Sequence, residues 1–82
     1  MAKEVVVYLT QYCPYCHAAK RFLEEKGVAY KEIDVSADTE MREKLVKMSG
    51  GRTTVPQIFA DGDSIGGYDE LVQFYNAGHT LN

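Results

Sequence analysis

The 82-residue chain has no tryptophan, only two cysteines and no long apolar run. Cys13 and Cys16 are three positions apart, so they cannot form the long-range disulfide framework that staples many small secreted domains. The apolar run Val5–Leu9 is too short for the core of a signal peptide or for a transmembrane helix. These absences predict a protein of the reducing cytoplasm with no membrane partner.

The chain also lacks a run of basic residues, and its formal net charge is −3 at pH 7. Nucleic acid is therefore not an expected partner. Hydrophobic residues make up 45% of the chain, which predicts a packed core and argues against intrinsic disorder. Its length fits one domain, residues 1–82, and we expect a monomer.

The pattern of apolar residues and turn signals predicts the element order β-α-β-α-β-β-α. The predicted strands are 5–9, buried on both faces, followed by 28–35, 56–60 and 64–66, with Asp61-Gly62 as a hairpin turn. The predicted helices are 14–26, a second capped by Ser36 or Asp38, and a third running from 66–67 to near Gly78. Met41, Leu45 and Met48 share one face of the second helix. A right-handed first crossover and a later hairpin give an α/β thioredoxin-like fold, a four-stranded mixed sheet with three helices.

The cysteine pair falls where a buried strand passes into a helix. Cys13 should lie at the first helical turn, where unpaired N–H groups and the helix dipole stabilise a thiolate. Pro14 suits this turn because its missing N–H has no helical partner to lose. Cys16 follows one turn later, within disulfide reach and directed inward. We therefore expect Cys13 to attack and Cys16 to resolve.

Three other interpretations of the cysteine pair compete with this assignment. Cys13-x-x-Cys16-His17 matches the pattern for c-type haem attachment, which requires an exported protein, and no export signal is found. A zinc site needs four ligands, and His79 is the only further soft ligand. Two unreactive buried cysteines are hard to reconcile with a pair split by Pro-Tyr at a strand–helix junction. No bound metal or cofactor is expected.

Three segments resemble the dithiol glutaredoxin family in the expected order. Cys13-Pro14-Tyr15-Cys16 is similar to the family's active site. The segment from Thr53 to Phe59 resembles one that contains a cis-proline, here Pro56, and the segment Gly66 to Leu71 resembles a glycine-glycine-x-acidic turn. The resemblance extends from Val5 to about Tyr75 and implies a glutathione-dependent thiol–disulfide oxidoreductase.

The resemblance also implies where glutathione binds. A cis Val55-Pro56 bond would turn the backbone of Val55 towards Cys13, so that glutathione pairs with it as an added strand. The turn before the last helix would hold the γ-glutamyl carboxylate on backbone N–H groups, and Asp69 would hold the adjacent ammonium. The implied binding residues are Tyr15, Arg52, Thr54, Val55, Pro56, Gly67, Tyr68 and Asp69.

Thr10 departs from the family pattern, which commonly has a lysine three residues before the nucleophilic cysteine. Such a lysine is expected to bind the glycine carboxylate of glutathione and to favour the thiolate. Arg52 or Lys20 would have to replace it. We therefore expect weaker glutathione binding or a less stabilised Cys13 thiolate than in relatives that have the lysine.

The implied protein substrates are disulfide-containing or glutathionylated proteins, with ribonucleotide reductase as a family-level candidate. Glutathione is the co-substrate. One alternative function is a [2Fe–2S] carrier, in which two chains hold the cluster through Cys13 and two glutathiones; Pro14 and Cys16 argue against it. A second alternative is a thioredoxin-like electron donor served by a flavoprotein reductase.

Overall fold

The computed structural model describes residues 4–81 and contains the predicted mixed sheet with three helices. The elements follow the predicted order, and they are β1 (Val5–Leu9), α1 (Pro14–Glu25), β2 (Tyr30–Asp34), α2 (Thr39–Met48), β3 (Gln57–Ala60), β4 (Asp63–Gly66) and α3 (Tyr68–Asn76). The strand order across the sheet is β2-β1-β3-β4. β1 is parallel to β2 and antiparallel to β3, and β3 and β4 form the predicted antiparallel hairpin.

This topology brings three chain junctions to one end of the sheet. Tyr8, near the end of β1, pairs with Gln57, the first residue of β3. Ile58 of β3 in turn pairs with Gly66, the last residue of β4. The loops that precede α1, β3 and α3 therefore lie next to one another, although they are distant in sequence.

The core lies between the sheet and helices α1 and α3. Helix α1 buries Cys16, Ala19 and Leu23, which is the stripe that the i, i+3, i+7 spacing predicts. The sheet contributes alternate residues of β1 and of β3, the latter being Ile58 and Ala60, and α3 contributes Leu71. Complete burial of an aliphatic side chain of this size contributes about 1.5–3 kcal/mol of transfer free energy.

The prediction that β1 is buried on both faces was wrong, and the predicted face of α2 is buried only in part. In β1, Val5, Val7 and Leu9 are buried, whereas Val6 and Tyr8 are only half-buried because they face the second, less covered side of the sheet. In α2, Leu45 is buried and Met41 half-buried, but Met48 is 47% exposed at the last turn of the helix.

The predicted second strand, 28–35, was too long at both ends, since the structure has only Tyr30–Asp34. The N–H of Val28 donates to the Leu23 carbonyl and so helps to end α1. Val35 donates to the Leu9 carbonyl just beyond the strand. Both valines are buried, which explains the apolar pattern, but they lie in the connections on either side of the strand.

Smaller boundary corrections have local causes. Helix α1 ends one residue earlier than predicted, with Lys26 as its C-cap before Gly27. Pro56 precedes β3 because it has no N–H to donate to the sheet. β4 begins at Asp63 and α3 at Tyr68, with Gly67 as its N-cap.

Two turn and cap predictions were resolved by the structure. Asp38, and not Ser36, caps α2, since its Oδ1 accepts the Met41 N–H at 2.9 Å. Asp61 and Gly62 both have positive φ, 51° and 87°, as a tight hairpin turn requires. Within residues 4–81, no helix combines the length and the apolar character needed to cross a membrane.

Candidate active site

Cys13 is the N-cap of α1 and is partly exposed. Its backbone is extended, with φ −100° and ψ 112°, and Pro14 occupies the first helical turn as predicted. Its Sγ accepts the Cys16 N–H at 3.2 Å, and its carbonyl accepts the N–H of His17 at 3.3 Å. The sulfur therefore sits at the positive end of the helix dipole, where an anion is stabilised.

Cys16 occupies a very different environment one turn along the same helix. It is completely buried, and the two cysteines are free thiols. Burial raises the pKa of the Cys16 thiol to about 12, and a hydrogen bond to Cys13 acts in the same direction. At neutral pH, one sulfur of the pair is accessible to an incoming disulfide and the other is a buried, protonated thiol.

The segment before β3 forms the second side of the site. The Val55-Pro56 peptide bond is cis, as the resemblance implied. The Cys13 thiol donates to the Val55 carbonyl oxygen at 3.5 Å. The side chain of Gln57 holds Thr54, the residue before Val55, because its Nε2 donates to the Thr54 carbonyl at 2.9 Å. Backbone polar groups are thereby fixed beside the accessible sulfur.

An open groove of about 290 Å³ runs from this segment to the start of α3. All eight residues that the resemblance implied as glutathione ligands line it, and they are Tyr15, Arg52, Thr54, Val55, Pro56, Gly67, Tyr68 and Asp69. Gly67 lies close to the opposite wall, since a Cβ at this position would be 3.3 Å from the Pro56 carbonyl oxygen. The groove is therefore narrow between Pro56 and Gly67.

Aromatic side chains form one flank of the groove. The ring centroids of Tyr15 and Tyr68 are 6.2 Å apart, and Tyr15 is 62% exposed. Phe22 of α1 packs edge-on against Tyr68 at 6.5 Å. Tyr12, directly before Cys13, is 91% exposed, and the sequence interpretation did not single it out.

Of the two cations expected to replace the lysine missing at Thr10, Arg52 lines the groove and Lys20 does not. The Lys20 ammonium instead pairs with Glu32 of β2 at 2.8 Å, and a hydrogen bond to this carboxylate raises its pKa. Arg52 is itself ion-paired, with Glu70 of α3.

Glu70 is a groove residue that the sequence interpretation missed. Its Oε1 accepts the Gly67 N–H at 3.0 Å and also accepts from the Arg52 guanidinium. The Gly67 bond, with a smaller contribution from Arg52, holds the pKa of Glu70 below its ordinary value. The available signal was a glutamate three positions after an N-cap, the spacing of a capping box.

A second missed set of residues supports the loop before Cys13. Gln11 Nε2 donates to Asp34 Oδ2 at 2.8 Å, which ties the loop to the end of β2. The Nε2 atom of His17 lies 3.1 Å from the Gln11 carbonyl oxygen. His17 thus contacts the loop from the first turns of α1. No group of three or more His, Cys, Asp or Glu side chains among residues 4–81 is arranged to hold a metal ion.

Comparison with known proteins agrees with this geometry. Residues 5–65 match the family model described as Glutaredoxin. The chain is 51% identical over 75 residues to glutaredoxin 1 of Rickettsia conorii, covering 90% of this chain and 74% of the relative. It is 49% identical over 67 residues to glutaredoxin 3 of Escherichia coli K12, covering 82% of this chain and 80% of the relative.

Comparison of the fold with solved structures also indicates a glutaredoxin. A crystal structure of a buckwheat glutaredoxin–glutathione complex superposes with a TM-score of 0.83 at 28% identity, covering 93% of this chain and 71% of the other. Residues 5–65, which match the family model, contain both the Cys13–Cys16 pair and the cis-proline segment. The chain therefore belongs to the glutaredoxin family of thiol–disulfide oxidoreductases, whose chemistry depends on such a cysteine pair.

Proposed function

We propose that the chain uses glutathione to reduce protein disulfides and protein–glutathione mixed disulfides, in a reducing compartment such as the cytoplasm. Cys13 is the nucleophile and Cys16 the resolving thiol. The observation that carries this assignment is the contrast between the two sulfurs. Cys13 is partly exposed at a helix N-terminus beside the groove, whereas Cys16 is completely buried and has a raised pKa.

In the monothiol route, the Cys13 thiolate attacks the glutathione sulfur of a mixed disulfide. A Cys13–glutathione disulfide forms, and the protein substrate leaves as a thiolate. A second glutathione thiolate then attacks the glutathione sulfur bound to Cys13. Oxidised glutathione is released and the Cys13 thiolate is regenerated, so one glutathione thiolate is consumed as the reductant for each mixed disulfide that is reduced.

In the dithiol route, Cys13 attacks a protein disulfide and forms a mixed disulfide with the substrate. Cys16 then attacks the Cys13 sulfur, and because its thiol is protonated, its proton passes to the departing substrate thiolate. Two glutathiones subsequently reduce the Cys13–Cys16 disulfide. The hydrogen bond between the Cys16 N–H and the Cys13 sulfur, at 3.2 Å, keeps the pair close enough for this step.

The groove supports a defined orientation for glutathione. Its cysteine residue would pair with the Val55 backbone, next to the Cys13 sulfur. Its γ-glutamyl end would lie on the N-terminus of α3, with the carboxylate on backbone N–H groups and the ammonium on Asp69. The glycine carboxylate would then face Arg52. Tyr15, Thr54, Pro56, Gly67 and Tyr68 would line the remaining surface.

Further support comes from the buckwheat relative, whose structure is that of a glutathione complex. In this proposal glutathione is a co-substrate, and no bound cofactor takes part. The protein substrates are disulfide-containing or glutathionylated proteins, and ribonucleotide reductase is one candidate to test.

The test is glutathione-dependent reduction of a glutathionylated peptide by the wild type and by the Cys13→Ser and Cys16→Ser variants. We expect the Cys16→Ser variant to remain active and the Cys13→Ser variant to be inactive. A protein with a thioredoxin-like role would instead be inactive with glutathione and active with a flavoprotein reductase, and this result would refute the proposal.

A further inference from the structure

The groove contains more carboxylates than cations. Of the nine residues that line it within the described part of the chain, Arg52 alone is cationic, whereas Asp69 and Glu70 are carboxylates. Glutathione has two carboxylates and one ammonium, so its net charge is also negative at neutral pH. If Asp69 and the N-terminus of α3 hold the γ-glutamyl end, only Arg52 is left for the glycine carboxylate.

Arg52 is already engaged by a carboxylate of the protein. Its guanidinium donates to Glu70 Oε1, the same oxygen that accepts the Gly67 N–H at 3.0 Å. The Arg52 and Glu70 side chains both lie against Gly66, where a Cβ would be 2.9 Å from Arg52 Nη1 and 2.8 Å from Glu70 Oε1. The absence of a side chain at Gly66 therefore permits the contact. Because the Glu70 pKa is lowered, its carboxylate stays ionised at neutral pH.

We propose that Glu70 is a specificity-determining residue that competes with the glycine carboxylate of glutathione for Arg52. This inference rests on the proposed function. Its consequence is that the groove accepts glutathione derivatives whose glycine carboxylate is masked, as an amide or an ester, about as readily as glutathione itself. Glu70 thereby widens the substrate class beyond the free tripeptide.

The physical basis is the sharing of one cation by two anions. The guanidinium has five N–H donors, so it can contact both carboxylates, but each lowers the attraction available to the other. Both side chains are partly exposed, at 43% and 32%, and the effect is reduced by solvent and salt. Removing the charge of Glu70 should favour a glycine carboxylate over its ester by about three- to tenfold at low ionic strength.

The test is an equilibrium competition in the Cys16→Ser background, which removes the resolving thiol so that no Cys13–Cys16 disulfide forms. The protein is incubated with equal amounts of glutathione and its glycine monoethyl ester, each present in reduced and oxidised form. The Cys13 thiolate attacks either disulfide, binds one thiol and releases the other. Intact-mass spectrometry then gives the ratio of the two adducts, which measures selectivity independently of turnover.

The informative variant is Glu70→Gln, because its amide oxygen still accepts the Gly67 N–H while the charge is lost. We expect an adduct ratio near one for the parent protein and a shift of about three- to tenfold towards glutathione in Glu70→Gln. Adding Arg52→Gln to Glu70→Gln should return the ratio to near one. Glu43→Gln removes the same charge from an exposed position of α2 and should leave the ratio unchanged.

An unchanged ratio in Glu70→Gln would overturn the inference, as would an equal shift in Glu43→Gln, which would show a general effect of net charge. A strong preference for glutathione in the parent protein would also overturn it. If neither thiol forms an adduct with the parent protein, the proposed function itself fails, and this outcome is recognised before any variant is compared.

Discussion

The burial of Cys16 predicts a large difference in reactivity between the two thiols. Its pKa rises from an ordinary value of 9.0 to about 12, chiefly because burial disfavours the thiolate. Three pH units correspond to about a thousandfold less thiolate at neutral pH than in an ordinary cysteine. Since the thiolate is the reactive species, Cys16 should be alkylated at least that much more slowly in the native protein than after unfolding.

The assay is alkylation of the reduced protein by iodoacetamide at pH 7.5, followed by intact-mass spectrometry and peptide mapping. The native protein should take up one carbamidomethyl group rapidly, at Cys13, and the second only in denaturant. The Cys13→Ser variant isolates the buried thiol and keeps a hydroxyl beside it. If Cys16 in that folded variant reacted as fast as in denaturant, the burial argument would be refuted.

Three further predictions concern stability. Leu23→Ala removes a completely buried side chain from α1 and should lower the free energy of unfolding by about 2–5 kcal/mol in urea titrations; a loss below 1 kcal/mol would contradict the described core. Gly66→Ala should destabilise the protein more than Gly62→Ala does, because both glycines have positive φ but of the two only Gly66 lacks room for a Cβ; calorimetry of the two variants tests this, and equal stability would contradict it. Because burial raises the pKa of Cys16 from 9.0 to about 12, the unfolded state loses this proton first. The free energy of unfolding should therefore be unaffected by this thiol below pH 9 and should fall by about 1.4 kcal/mol per pH unit between pH 9 and 12. Cys16→Ala should therefore show a shallower alkaline loss of stability than the wild type, and equal slopes would contradict the assignment.

Much of the fold could be predicted because its signals are local. The Asp61-Gly62 turn, the glycine that follows α1 and the Cys13–Pro14 helix start all depend on a few adjacent residues. The extent of β2 could not be predicted from apolar residues alone. Val28 and Val35 are buried, but their N–H groups bond to the ends of α1 and β1, and these partners are determined by tertiary structure.

The candidate site shows the same division. The cysteine pair and the groove residues could be predicted because contiguous motifs carry them. The Arg52–Glu70 pair joins residues 18 positions apart, and locally Glu70 is explained by its capping bond to Gly67. Similarly, the spacing of Met48 places it on the apolar face of α2, but its exposure could be found only from the tertiary structure, where it lies at the edge of that face. Long-range pairing and unequal coverage of the sheet were therefore the features that the sequence did not reveal.

In the proposed mechanism, Cys13 reacts while glutathione lies in the groove between the cis-proline segment and α3. The most direct measurement compares the backbone amide NMR spectra of the Cys16→Ser protein, reduced and as its glutathione mixed disulfide. We expect the largest shift changes around Cys13, at Thr54 and Val55, and at Tyr68 and Asp69. Shift changes confined to the neighbourhood of Cys13, or centred on the separate cavity near Ser64 and Gln73, would contradict it.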